Sequence, residues 1–150
     1  MMHCFLGMEV WQSADGIFLG QGKYAVEILK RFRMLDCKEK ATHMEYNFKL
    51  LSDASSETID ATMYRQMIGS LTYLTNMRPY IFFLVNTLIH FLKDQRHVHL
   101  IVAKNVIRYL KGTMDYGLKY DANQNINLHN YVDSNWAGSH LQEEHLMFLL

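Results

Sequence analysis

A single proline, Pro79, occurs in the 150-residue chain, and it interrupts a long stretch, residues 60–111, in which apolar side chains recur at helical spacing. Tyr64, Met67, Ile68, Leu71 and Leu74 form one stripe, which Asp60 or Thr62 is suited to cap. Gly69 and Ser70 lie within that stripe and suggest close backbone packing there. Pro79 fits the first turn of a further helix, where its missing N–H would be unpaired anyway. That helix carries Ile81, Leu84, Val85, Leu88, Phe91 and Leu92. A last helix spans residues 96–111, with Leu100, Ala103, Ile107 and Leu110 on one face and Gly112 as its stop. Upstream, Tyr24, Ile28, Leu29 and Phe32 alternate with Lys23, Glu27, Lys30 and Arg31, which describes an amphipathic helix ending near Arg33.

Both ends of the chain read differently. Residues 4–12 alternate loosely as a strand, Ser13-Ala14-Asp15-Gly16 has the Asp-Gly pair of a tight turn, and residues 17–19 return. Residues 116–120 and 126–133 form a second strand pair around the turn-rich segment 121–125. The order hairpin, helices, hairpin predicts an α+β fold, or pieces of two domains, rather than a wound parallel sheet. Residues 34–59 show weak patterning, and residues 52–56 read as a loop.

Charge narrows the function classes little. Fifteen basic and fifteen acidic residues cancel, so any nucleic-acid partner must be argued from local patches. Cys4 and Cys37 have no metal spacing and read as reduced thiols. The apolar stretch 80–92 is short and broken by Asn86, Thr87 and His90, so no membrane span is expected. The expectation is an intracellular protein of cytoplasm or nucleus.

Two-metal phosphoryl chemistry needs several carboxylates around a pair of Mg²⁺ ions. The chain has no Asp-Asp dipeptide, and its acidic pair Glu143-Glu144 has the pattern of solvated surface. Asp133 ends a strand before Ser134-Asn135-Trp136-Ala137-Gly138, a position suited to a metal ligand, although a turn cap is the commoner role of such an Asp. His97 and His99 are two apart and point to different faces of a helix. Ser70 lacks the flanking pattern of a nucleophile elbow, and no phosphate-cradling glycine loop occurs. Two basic patches remain. Lys30, Arg31, Arg33, Lys38 and Lys40 lie close together, offset by Asp36 and Glu39. Lys104, Arg108 and Lys111, spaced four and three apart, share a helix face that suits phosphates or plain solvent.

Taken in order, several strings resemble the copia-type LTR-retrotransposon Pol polyprotein, from the end of its reverse transcriptase into ribonuclease H. They are Phe5-Leu6-Gly7-Met8-Glu9-Val10, Asp15-Gly16-Ile17-Phe18, and Gln21-Gly22-Lys23-Tyr24. Tyr64-Arg65 with Ile68-Gly69-Ser70-Leu71, Arg78-Pro79, and Arg108-Tyr109-Leu110-Lys111-Gly112-Thr113 follow, then Tyr131, Asp133 and Trp136-Ala137-Gly138. The resemblance implies that residues 1–113 are reverse-transcriptase-like, with a primer-grip hairpin and about four helices of thumb and connection type. Leu6, Gly7 and Met8 would be the grip residues, and Lys30, Arg31, Lys104, Arg108 and Lys111 would contact a duplex or RNA–DNA hybrid. Residues 114–138 would be the truncated start of a ribonuclease H sheet, with Asp133 as its first metal ligand and Mg²⁺ as the cofactor of the intact family.

The same resemblance marks departures. The polymerase aspartates would lie upstream of Met1 and the other ribonuclease H acids downstream, so neither activity nor a bound cofactor is expected of this chain alone. Residues 139–150 do not fit the family and read as an aberrant tail of frameshift type. His43, Tyr80 and Asn135 stand where the family usually has Pro, Asp and Asp. The alternative reading is a small nucleic-acid-binding module that keeps thumb-type phosphate contacts.

Overall fold

The computed structural model describes residues 2–44 and 59–122. Strands β1 (Met2–Phe5), β2 (Met8–Ser13) and β3 (Gly16–Gly20) come first, followed by helix α1 (Gly22–Arg31). Helix α2 (Ala61–Leu74), a 3-10 turn at Pro79–Ile81, α3 (Phe82–Ile89) and α4 (His97–Lys111) lead to the last described strand, β4 (Gly117–Asp121). The strands form one antiparallel sheet in the order β1-β2-β3-β4. All four helices fall between its third and fourth strands, so the fold is α+β.

The helical stripes meet as the sequence suggests. Ile28 and Leu29 of α1, Met67, Ile68, Leu71 and Leu74 of α2, Leu84, Val85 and Leu88 of α3, and Val106, Ile107 and Leu110 of α4 form one buried cluster. Each such side chain contributes about 1.5–3 kcal/mol on burial. Tyr64 is sealed in the same core because its hydroxyl donates to the Leu88 carbonyl at 3.0 Å. Burial raises the Tyr64 pKa, which keeps the hydroxyl protonated as a donor. Asp60 caps α2, its carboxylate accepting from the Thr62 amide at 2.8 Å. Pro79 opens the 3-10 turn that precedes α3.

Several expectations need correction. Residues 4–12 are not one strand, because Leu6 and Gly7 form a two-residue turn between β1 and β2. Both have positive φ, 48° and 73°, which is what the tight hairpin turn matching strand twist requires. Gly69 makes no close approach: a Cβ there would meet nothing within 4 Å, and buried Ser70 takes the packed position instead. Phe91 and Leu92 lie past the end of α3 and are half-buried.

The first of the C-terminal strands joins the N-terminal sheet, a pairing not anticipated from the sequence. β4 pairs with β3, Leu19 opposite Leu118 and Gly16 opposite Asp121, and so extends the N-terminal sheet. Its carbonyls run so close to Gly16 that a Cβ there would lie 2.0 Å from the Tyr120 oxygen. The intended partner, residues 126–133, lies outside the described residues, as do Asp133, Glu143-Glu144, Trp136 and the tail.

Candidate nucleic-acid interface

The first feature is the tip between β1 and β2. Leu6 is 70% exposed although apolar, and it holds a left-handed backbone that leucine rarely adopts. Such a conformation persists where the surroundings enforce it. Here the enforcing group is Tyr73 of α2, whose hydroxyl donates to the Leu6 carbonyl. The Tyr73 oxygen would also lie 3.1 Å from a Cβ at Gly7, so glycine is needed for space as well as for φ. Tyr24 of α1 meets Tyr73 edge-on at 4.8 Å between ring centroids and holds that ring. The tip is therefore braced by two helices. Met8, the other grip candidate, starts β2 opposite Phe5 and is half-buried.

The second feature is cationic. Arg108 donates through Nε to the Lys38 carbonyl at 2.8 Å, and Lys111 donates through Nζ to the Cys37 carbonyl at 2.8 Å. The Lys40 amide returns a bond to the Arg108 carbonyl at 3.3 Å. The basic run after α1 and the basic face of α4, some 70 residues apart in sequence, thus become one continuous surface. Arg31 donates to Ser70 Oγ at 3.2 Å, while Lys30 and Lys104 are exposed. Ion pairs away from this surface are Lys23–Glu9, Arg96–Asp94 and Lys119–Asp121. The hydrogen bonds of Arg108 Nε and Lys111 Nζ go to neutral carbonyls. Glu39 tempers the surface, with its carboxylate beside Gly112.

Arg78 is fully buried. Its guanidinium donates to the Thr113 carbonyl, to Thr113 Oγ1 at 3.2 Å, to the Met114 carbonyl at 3.0 Å and to the Tyr80 hydroxyl at 2.8 Å. It locks the end of α4 to the start of the 3-10 turn, while its Nε has no acceptor. Tyr80, Tyr109 and His43 close around the same place, with ring centroids 5.3–6.3 Å apart. Burial lowers the His43 pKa and raises that of Tyr109, so both are neutral near pH 7. Arg78 stands before Pro79 in one of the family-like strings, but only the fold shows the buried fork. Tyr73 lies off the apolar stripe of α2, and its bond to the Leu6 carbonyl is a tertiary contact that no local pattern announces.

The histidines separate as their spacing requires: His97 is exposed, and His99 is buried, stacked on Phe91 at 3.9 Å and accepting from the Arg96 amide. Among the described residues no three His, Cys, Asp or Glu side chains gather to hold a metal, and no helix is long and apolar enough to cross a membrane.

Comparison with known proteins decides the ancestry. The chain is 36% identical over 137 residues to the retrovirus-related Pol polyprotein from transposon RE2 of Arabidopsis thaliana, a match covering 91% of this chain and 9% of that protein. It is related to the Pol polyproteins of copia-type transposons. An uncharacterized mitochondrial protein of Arabidopsis thaliana is 37% identical over 138 residues, covering 91% of this chain and 57% of that one. The Pol polyprotein from transposon TNT 1-94 of Nicotiana tabacum is 29% identical over 142 residues and is covered to 11%. This retrotransposon-related chain thus spans about a tenth of the Pol polyproteins it matches. No family model and no solved structure matches it.

Proposed function

We propose that the chain is the primer-holding and thumb portion of a retrotransposon reverse transcriptase, which binds the sugar–phosphate backbone of an RNA–DNA hybrid or duplex and performs no chemistry by itself. The observation that carries this is the Leu6-Gly7 tip: an exposed, left-handed turn, held rigid from behind by Tyr73, at the position that resembles the family's grip. A turn of this kind offers backbone amides that can approach a phosphate closely. The surface formed where the segment of Lys38 and Lys40 docks on Arg108 and Lys111, with Lys30 and Arg31 on α1 and exposed Lys104 on α4, supplies attraction along the duplex. Because β4 pairs into the hairpin sheet, we put the start of the ribonuclease H portion after Asp121 rather than at residue 114.

A second reading, a freestanding nucleic-acid-binding module, uses the same surface. It is favoured by cations whose hydrogen bonds go to carbonyls rather than carboxylates. The primer-holding reading is tested by placing p-benzoylphenylalanine at Leu6 and irradiating with a hybrid carrying a labelled primer. The expected product is a crosslink to the last nucleotides of the primer strand. The same group at exposed Ile17 in β3 should give none. Equal crosslinking from both positions, spread along both strands, would replace the first reading by the second.

A further inference from the structure

A cavity of about 510 Å³ opens where β2, β3, the first turn of α1 and the α4–β4 connection meet. That volume lies in the usual range for small-molecule sites, ~300–1,000 Å³. Three aromatic rings line it, Trp11, Phe18 and Tyr116, together with Glu9 and Lys23. Trp11 and Phe18 stand 5.3 Å apart at 53°, tilted rather than closed face to face, and Tyr116 is 55% exposed. Two glycines keep the space open. A Cβ at Gly20 would lie 3.0 Å from the Trp11 ring, and one at Gly22 would lie 3.2 Å from Glu9 Oε2.

The polar wall is built, not incidental. Glu9 is only 6% exposed on a strand whose outer end is open to water. Its Oε2 accepts from the Lys23 amide at 3.0 Å, while its Oε1 lies 3.5 Å from Lys23 Nζ, too far for a good hydrogen bond. Oε1 therefore retains acceptor capacity. The Lys23 side chain is 61% exposed and retains donors. Acceptor and donor stand side by side next to flat rings.

We propose that this cavity takes one unpaired nucleobase, stacked on Trp11 and Tyr116, with its hydrogen-bonding edge toward Glu9 and Lys23. Every base has a face to stack and an edge on which donor and acceptor sit adjacent. Asp115 also lines the cavity, so one further carboxylate stands beside the Glu9–Lys23 pair, and the tetramethylammonium arm of the test separates a base from a cation. The proposal uses none of the residues that carry the duplex-backbone reading, and the two can fail separately.

The test uses the full chain with Trp136→Phe, which leaves Trp11 as its sole tryptophan. Its fluorescence is titrated with deoxyadenosine monophosphate, with deoxyribose 5-phosphate and with tetramethylammonium. The expected result is saturable quenching by the nucleotide alone. In the Tyr116→Ala variant, which alters an exposed side chain and should keep its circular dichroism, affinity should fall by about tenfold. Glu9→Gln, which can still accept from the Lys23 amide, should also weaken binding. Absence of saturation, equal binding of the base-free sugar phosphate, or an unchanged affinity after Tyr116→Ala would overturn the proposal. Quenching by tetramethylammonium at least as strong as by the nucleotide would instead identify an aromatic cage for alkylammonium groups.

Discussion

In the helical half of this chain, Tyr64, Leu71, Leu74, Leu88 and Ile107 are closed off from water. In the sheet, Trp11, Ile17 and Tyr120 lie on the surface, and the enclosed side chain is the carboxylate of Glu9. The helices are thus held by apolar area, which is large and non-directional. The sheet is held to them by few polar tethers: Glu9 to the start of α1, and Tyr73 to the Leu6 turn. The contrast teaches where stability and function divide. On the proposed reading, a surface that meets a polyanion keeps its cations and rings exposed, and a core built elsewhere enforces its shape.

Leu71→Ala should strike the core hardest, lowering global stability by about 2–5 kcal/mol in a denaturant melt. A loss below ~1 kcal/mol would mean the helices are not one packed unit. Next in size is Arg78→Met, which removes the donor serving the Thr113 and Met114 carbonyls. A loss of ~2–3 kcal/mol is expected. The effect should appear at the α4–β4 connection in hydrogen exchange before it appears elsewhere. Tyr73→Phe should cost about 1 kcal/mol and loosen the Leu6-Gly7 tip while leaving the helical amides protected. Equal loss of protection in α2 would erase the distinction between tether and core.

Smaller still is a pH effect at His43. Burial lowers its folded pKa below the ordinary 6.5, so between those two values the unfolded chain binds more protons than the folded one. Stability should therefore fall as pH drops below about 6.5 and level off once the folded value is passed. His43→Phe should flatten that slope in melts run between pH 7 and pH 5. Ile17→Thr on the exposed face of β3 should change stability by less than ~0.5 kcal/mol.

The helices were legible because their periodicity is the packing itself: the stripes on residues 64–74 and 100–110 are the buried residues of α2 and α4. The strands were harder. Leu6-Gly7 is not a composition that announces a tight turn, and only a tertiary bond from Tyr73 stabilises leucine there. The β3–β4 pairing joins residues about a hundred positions apart, and no local pattern encodes such a register. At the interface, the cations were visible as sequence runs. Their fusion into one surface through Arg108 and Lys111 depends on the loop docking against α4. Arg78 shows the limit in the other direction, since a lone arginine before proline gives no sign that it will be fully enclosed.

The central claim is that this surface still grips a nucleic-acid backbone. Fluorescence anisotropy of a labelled RNA–DNA hybrid, titrated with the folded chain at low and at moderate salt, tests it most directly. The account predicts saturable binding that weakens steeply with salt, with a logarithmic slope reduced by about one when either Lys30 or Lys104 is changed to Gln. A chain that melts cooperatively yet binds no hybrid at low salt would contradict it, and would leave a retrotransposon relative that has kept the fold and lost the grip.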